Sequence, residues 1–330
     1  VANLTGIKEN YQIMGHNYDL YTMSMSQEIW KEFVKKYPQA NSGKLSIEQI
    51  NVLMAEYIEK RNASAVDDFD GLSPHQMHLL LHYPLAEDSP LKWVAPHYES
   101  DLAAIPLLVL SDMLLAEIQK AGELRLTAKG NLPVAVCTLL VKKNLIDWKY
   151  MKYVKILSED NIPYIWPIKE YLTTEGLIKK RNNKLSVTKK GEKYPKLAHS
   201  ERLQQLLSFF TARFNWQNLY GIEDDGEIGN MGWAFSLYLF RKYGHETKNA
   251  QFYADKWIRA FHTQYWTERN NPAYNAIISD IRYAYEHRFF GCFAKWFGFA
   301  EVEEIQIPKQ VRSLMEVKKT ETLDKCFGMR

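Results

Sequence analysis

Residues Ile162–Tyr194 constrain the fold more than any other stretch of the chain. Trp166-Pro167 opens a helix that carries Ile168, Tyr171 and Leu172 and stops at Gly176. Leu177-Ile178 then starts a strand, Arg181-Asn182-Asn183-Lys184 makes a polar turn, and Leu185–Thr188 returns. Such strands bury alternate residues. Thr188 precedes Lys189-Lys190-Gly191, and its hydroxyl can cap a following helical turn. The order is helix, glycine, hairpin with a basic tip, then a capped helix.

The phrase that ends this segment occurs twice. Leu185-Ser186-Val187-Thr188-Lys189-Lys190-Gly191 repeats, 61 residues on, the pattern of Leu124-Arg125-Leu126-Thr127-Ala128-Lys129-Gly130. Each copy follows an apolar helix, so the repetition predicts two uses of one supersecondary unit. A looser third copy is expected near the end: a helix over Arg288–Phe297, a break at Gly298, strands over Ala300–Ile307 and Ser313–Val317, and Thr320 as a cap.

Elsewhere the pattern is helical. Ser26–Tyr37 carries Ile29, Trp30, Phe33 and Val34, and Ser46–Arg61 opens with Ser46 and Gln49 at capping-box spacing. Gly71-Leu72-Ser73-Pro74 starts another helix, with Ser73 as cap and Pro74 in the first turn. Pro106–Ala121 reads as a buried helix ended by Gly122. Between Ser200 and Trp296 three apolar faces recur at helical spacing, the first carrying Leu203, Leu206, Leu207, Phe210 and Phe214. The expected fold class is mainly α with short β-hairpins. The expected parts are an N-terminal helical region (1–100), hairpin-bearing modules (101–196) and an aromatic-rich helical domain (197–330).

Tyr171-Leu172-Thr173-Thr174-Glu175-Gly176-Leu177-Ile178-Lys179-Lys180-Arg181 resembles the winged-helix superfamily, as a recognition-type helix running into a wing. The likeness covers about forty residues and implies winged-helix-like modules, the third copy included; fold likeness alone implies no activity. Gly71–His78, followed by Leu124–Pro133, is similar to an uncharacterised bacterial protein group that couples a GLSPxQMH helix start to an LTAKGNLP hairpin. That likeness implies a bacterial, cytoplasmic protein and carries no catalytic residues.

Charge is distributed unevenly. The whole chain has a net charge of +3, yet Lys142–Lys196 holds 14 basic and 6 acidic residues, a net +8. Val1–Val141 is net −6 by the same count. A concentrated basic segment can mark a surface for a polyanion. Lys179, Lys180, Arg181, Lys184, Lys189 and Lys190 are therefore the candidate nucleic-acid-binding residues, because Lys and Arg on a wing neutralise phosphates and release counterions. The helix before them offers only Lys169, Thr173 and Thr174 as base readers, beside Glu170 and Glu175. The expected contact is thus non-specific. The alternative is a protein-interaction scaffold, with a partner protein or self-association in place of nucleic acid.

His75, His78 and His82 share one helix face and form the metal candidate, with His97 or Asp88 as further ligands that the fold would have to bring in. Leu79-Leu80-Leu81 between two of them excludes the HExxH pattern. Glu223–Glu227 is a carboxylate-rich loop without EF-hand spacing. No nucleophile elbow, phosphate loop or dinucleotide fingerprint occurs, so neither a cofactor nor an enzymatic activity is expected. The three separated cysteines fit a reducing compartment. The start has no secretory pattern, and Leu102–Ala116, the longest apolar run, falls short of the ~20 residues of a membrane span. The chain starts at Val1 rather than at Met, so a processed or missing natural start is expected.

Overall fold

The computed structural model describes residues 27, 29–219, 226–261, 273–308 and 312–330. They fall into two compact units, Val1–Ala65 and Val66–Arg330.

The first unit pairs α1 (residues 29–36) with α2 (Ile47–Ala63). The Ser46 hydroxyl accepts from the Gln49 amide and the Gln49 side chain accepts from the Ser46 amide, the reciprocal cap that their spacing predicts. Phe33, Ala40 and Tyr57 form its small core, and the Tyr57 hydroxyl donates to Glu32 at 2.9 Å.

The second unit opens with α3 (Pro74–His82), capped by Ser73 and Gln76 in the same reciprocal way. β1 (Leu91–Trp93) and α4 (Glu99–Leu102) follow. Next come α5 (Pro106–Ala121), β2 (Leu124–Arg125), α6 (Val134–Val141), α7 (Ile165–Thr174), β3 (Ile178–Arg181), β4 (Lys184–Val187) and α8 (Lys189–Lys193). These three strands make an antiparallel sheet in the order β2-β4-β3.

After α9 (His199–Ala212) the same order returns. It runs α10 (Trp233–Tyr243), β5 (Lys248–Asn249), α11 (Ala250–Phe261), α12 (Tyr274–Tyr285), β6 (Ala300–Ile305), β7 (Leu314–Lys319) and α13 (Glu321–Cys326). The sheet order is β5-β7-β6, matching the first motif strand for strand. A last strand, β8 (Phe327–Met329), pairs antiparallel with β1.

The joints of the two motifs agree in detail. Gly176 and Gly298 both take positive φ, +66° and +70°, where a glycine escapes the steric cost of a Cβ. The Thr188 hydroxyl donates to the Gly176 carbonyl and the Thr320 hydroxyl to the Gly298 carbonyl, each at 2.6 Å. The Thr188 amide reaches Leu177 and the Thr320 amide reaches Phe299, each at 3.0 Å. The motifs differ in the helix before the glycine. α7 is a ten-residue α-helix, whereas α12 runs on into a π-helical stretch, Glu286–Ala294. Thr188 also caps α8 by accepting from the Gly191 amide, while Thr320 makes no such side-chain cap.

The two copies of the Leu-x-apolar-Thr-x-Lys-Gly phrase are not two units. They lie in one sheet, where Leu124 and Leu185, their leading leucines, are direct cross-strand partners. The region 101–196 therefore holds one motif, and the sequence pattern repeats because both strands face the same core. The second motif is the loose one near the end. One hydrophobic cluster runs from Leu72 to Phe327, so the expected divisions at residues 100 and 196 fall inside a single compact unit. α9 joins the motifs. Its Phe209 meets Tyr171 of α7 at 5.4 Å, and Phe210 meets Phe297 edge-on at 5.5 Å.

Candidate nucleic-acid interface

The hairpin β3–β4 turns through Asn182 and Asn183, both with positive φ (49° and 55°). Two such residues make the two-residue turn that matches the right-handed strand twist, and asparagine tolerates it. The Asn183 side-chain amide donates to the Thr127 carbonyl at 2.9 Å, which ties the tip to the Thr127–Asn131 turn.

Register decides where the charges point. Arg125 is opposite Lys184, and Lys184 is opposite Arg181. Directly opposed residues share a face, and so do residues two apart in a strand. Arg125, Lys184, Arg181 and Lys179 therefore stand on one exposed face of the sheet, with Ser186 beside Lys179. Lys180 faces the other way with Leu185, and its ammonium lies against Gly130. Like charges placed directly opposite destabilise a sheet. Among the described residues the only carboxylate paired with this row is Glu123, which binds Lys184 at 2.6 Å and whose own pKa Lys184 lowers. Arg125 was not among the residues the sequence singled out. Its partner across β4 identifies it, and nothing in the local sequence of β2 does so.

The six predicted residues divide into two sets. Lys179, Lys180, Arg181 and Lys189 make no ion pair with any described residue. Lys184 is bound to Glu123, and Lys190 donates to the Glu175 backbone carbonyl at 2.6 Å. Arg213 holds the Glu175 carboxylate at 2.8 Å. Lys169, the one cation on α7, is bound to Glu159, a buried carboxylate that also accepts from the Leu132 amide at 2.7 Å. Of α7 only Thr173 and Thr174 are exposed, and the Thr173 hydroxyl donates back to its own helix. α7 presents little that could read a base edge.

The second hairpin carries the opposite sign. Glu301, Glu303, Glu316 and Lys318 share the solvent face of β6–β7, and Glu303 is directly opposite Glu316.

His75, His78 and His82 are exposed on α3, with the His78 and His82 rings 4.6 Å apart. Burial, followed by the neighbouring His82 and His75, lowers the His78 pKa. Among the described residues no group of three His, Cys, Asp or Glu side chains is arranged to hold a metal, and neither His97 nor Asp88 joins the ladder. Of the acidic loop, Glu223, Asp224 and Asp225 lie outside the described residues. All three cysteines are buried, and burial pushes Cys137 up to about 11 and Cys292 and Cys326 up to about 12, so their thiols stay protonated. Among the described residues no helix is long and apolar enough to cross a membrane.

One strongly perturbed carboxyl is that of Glu286, at the start of the π-helical stretch. Burial first, and then the charge of Asp255, pushes it up to about 7 against the opposing pull of Arg282 and Arg312. It lines a small open pocket of about 200 Å³ with Arg282, Tyr283 and Arg312. Both guanidiniums are already paired, Arg282 with Asp255 and Arg312 with Asp280.

Comparison with known proteins adds no relative: no family model, no curated protein and no solved structure matches the chain.

Proposed function

We propose that α5 to α8 form a winged-helix module whose cationic hairpin face binds the phosphate backbone of a nucleic acid without reading its sequence. The element order and the sheet order β2-β4-β3 support the module. The observation that carries the binding is the row Arg125, Lys184, Arg181 with Lys179 beside it, four cations on one sheet face. A phosphate chain laid along that face relieves the repulsion and releases its own counterions. The buried, self-satisfied α7 argues against base readout.

The test is a titration of the 330-residue chain with a mixed-sequence oligonucleotide at two salt concentrations. Binding is expected to weaken steeply with salt. Replacing Arg125, Lys179 and Arg181 together by Ala is expected to flatten the logarithmic salt slope by roughly 2 to 3. Unchanged affinity and slope in the triple variant would refute the proposal.

Self-association is the second reading, favoured by the acidic face of Glu301, Glu303 and Glu316, which complements the cationic one. Sedimentation separates the two. Concentration-dependent growth in mass that salt reverses supports self-association, and a constant mass removes it.

A further inference from the structure

We propose that the partner of the basic hairpin is a single-stranded nucleic acid whose unstacked bases seat in an aromatic cleft beside it. The inference rests on the nucleic-acid reading above and adds the substrate class.

The segment Trp148-Lys149-Tyr150-Met151-Lys152-Tyr153-Val154-Lys155 alternates ring or apolar residues with lysines. Its middle is a 3-10 turn, Lys149–Tyr153. Three residues per turn sort the side chains by threes. Trp148, Met151 and Val154 pack against the core. Tyr150 and Tyr153 point outward, 45% and 70% exposed, and Ile156 beyond them is 57% exposed. Such rings on a single surface segment are costly to leave in water, and aromatic faces are what a sequence-tolerant single-strand site stacks on.

The segment is pinned in this open form. Lys149 is ion-paired with Glu304 of β6 and lies over the Tyr150 ring at 4.8 Å. The Asn161 side chain holds the Ile156 carbonyl at 2.9 Å. The result is a cleft of about 630 Å³ lined by Trp148, Tyr150, Tyr153, Lys155, Ile156 and Asp160. That volume is within the range of small-molecule sites. Lys155 on its lining and Lys152, whose ammonium lies over the Tyr153 ring at 5.1 Å, make no ion pair with any described residue.

The cleft adjoins the hairpin. Asp160 on its lining accepts from the Asn131 side chain at 2.8 Å. Asn131 closes the Thr127–Asn131 turn, whose Gly130 abuts the Lys180 ammonium and whose Thr127 carbonyl binds Asn183 at the tip. One turn therefore touches both the aromatic cleft and the basic hairpin. Lys180, which this turn meets on the hairpin, and Lys155 on the lining of the cleft set cations for phosphates beside rings for bases, the arrangement a flexible single strand requires. A duplex hides its base faces in the stack. It would need an exposed helix for its groove, and α7, with Glu170 on it and Glu175 at its end, is not one.

The experiment titrates the whole chain with oligo(dT), with an abasic oligomer of equal length and with a duplex of equal length, all at low salt. Oligo(dT) is expected to bind about tenfold or more tighter than either competitor and to quench tyrosine and tryptophan fluorescence. Tyr150→Ala with Tyr153→Ala is expected to remove that advantage and to leave abasic binding unchanged. Both rings are exposed, and unchanged circular dichroism confirms that the variant folds. Equal affinity for oligo(dT) and the abasic oligomer, or a preference for the duplex, overturns the inference and leaves backbone binding standing. No binding of any oligomer overturns both readings.

Discussion

The two motifs of the second unit share a topology and differ in charge. On the hairpin face of the first stand Arg125, Lys179, Arg181 and Lys184; on that of the second stand Glu301, Glu303 and Glu316 with Lys318. Their glycine and threonine joints share two bonds, the threonine hydroxyl to the glycine carbonyl and the threonine amide to the carbonyl of the residue after that glycine. Backbone order is therefore fixed by the joints and the core, while the solvent face of the hairpin is free to vary. The charge on that face carries functional information that the topology lacks.

The comparison breaks first at α9. If the motifs form one cooperative unit, removing the ring between them should be felt by both. Phe210→Ala is expected to cost about 3 to 5 kcal/mol, because Phe210 is fully buried between Phe209, Phe214 and Phe297. Chemical denaturation followed by hydrogen exchange checks it. Loss of protection in only one sheet would show two independent motifs.

The helices before the two glycines differ as well, and pH exposes the difference. Glu286 has no counterpart in α7, and its carboxyl is pushed up to about 7. A carboxyl with a raised folded-state pKa makes the fold bind more protons than the unfolded chain. Its burial is therefore tolerated below the unfolded value near 4.5 and becomes destabilising as pH rises toward 7 and beyond. Glu286→Gln is expected to be about neutral at pH 4.5 and to stabilise by as much as ~3 kcal/mol at pH 8. Thermal melts of both proteins across that range decide it, and parallel curves would refute the assignment.

The charge contrast itself is sharpened by exchange. Lys179→Glu with Arg181→Glu gives the first hairpin the sign of the second and is expected to weaken oligonucleotide binding about 100-fold at low salt. The reciprocal variant, Glu301→Lys with Glu303→Lys, is expected to strengthen it. A null result in both would detach binding from the hairpins.

Much of this frame was legible in the chain. The caps at Ser46 and Ser73, the stop at Gly122 and the hairpin around Asn182-Asn183 are set by neighbouring residues, so local sequence suffices for them. Which strands pair is a long-range fact. The phrase at Leu124 reads as a second unit until Leu124 is seen opposite Leu185, and Arg125 reads as an ordinary surface residue until Lys184 is seen beside it. β5, the two-residue strand Lys248–Asn249 that completes the second sheet, has no periodicity to detect. The withdrawal of Lys169 and Lys190 from the basic surface depends on Glu159 and Glu175, ten and fifteen residues away. No charge count over a window finds them.

The smallest expected effect tests the joints. Thr188 serves three partners: its one hydroxyl proton is shared between the Gly176 carbonyl at 2.6 Å and the Leu177 carbonyl at 3.2 Å, and its oxygen accepts from the Gly191 amide in the first turn of α8. Thr320 donates to Gly298 alone and caps nothing. Gly191 cannot compensate, since a Cβ there would collide with the Leu177 carbonyl. Thr188→Ala is expected to cost about 1 to 2 kcal/mol, the loss of a cap with a hydrogen bond. Thr320→Ala is expected to cost about 1 kcal/mol or less, the loss of one net hydrogen bond. Thr188→Ser should recover most of the loss because the hydroxyl remains. Equal costs at the two threonines would mean that the shared bond to the glycine carbonyl dominates both joints and that the α8 cap contributes nothing.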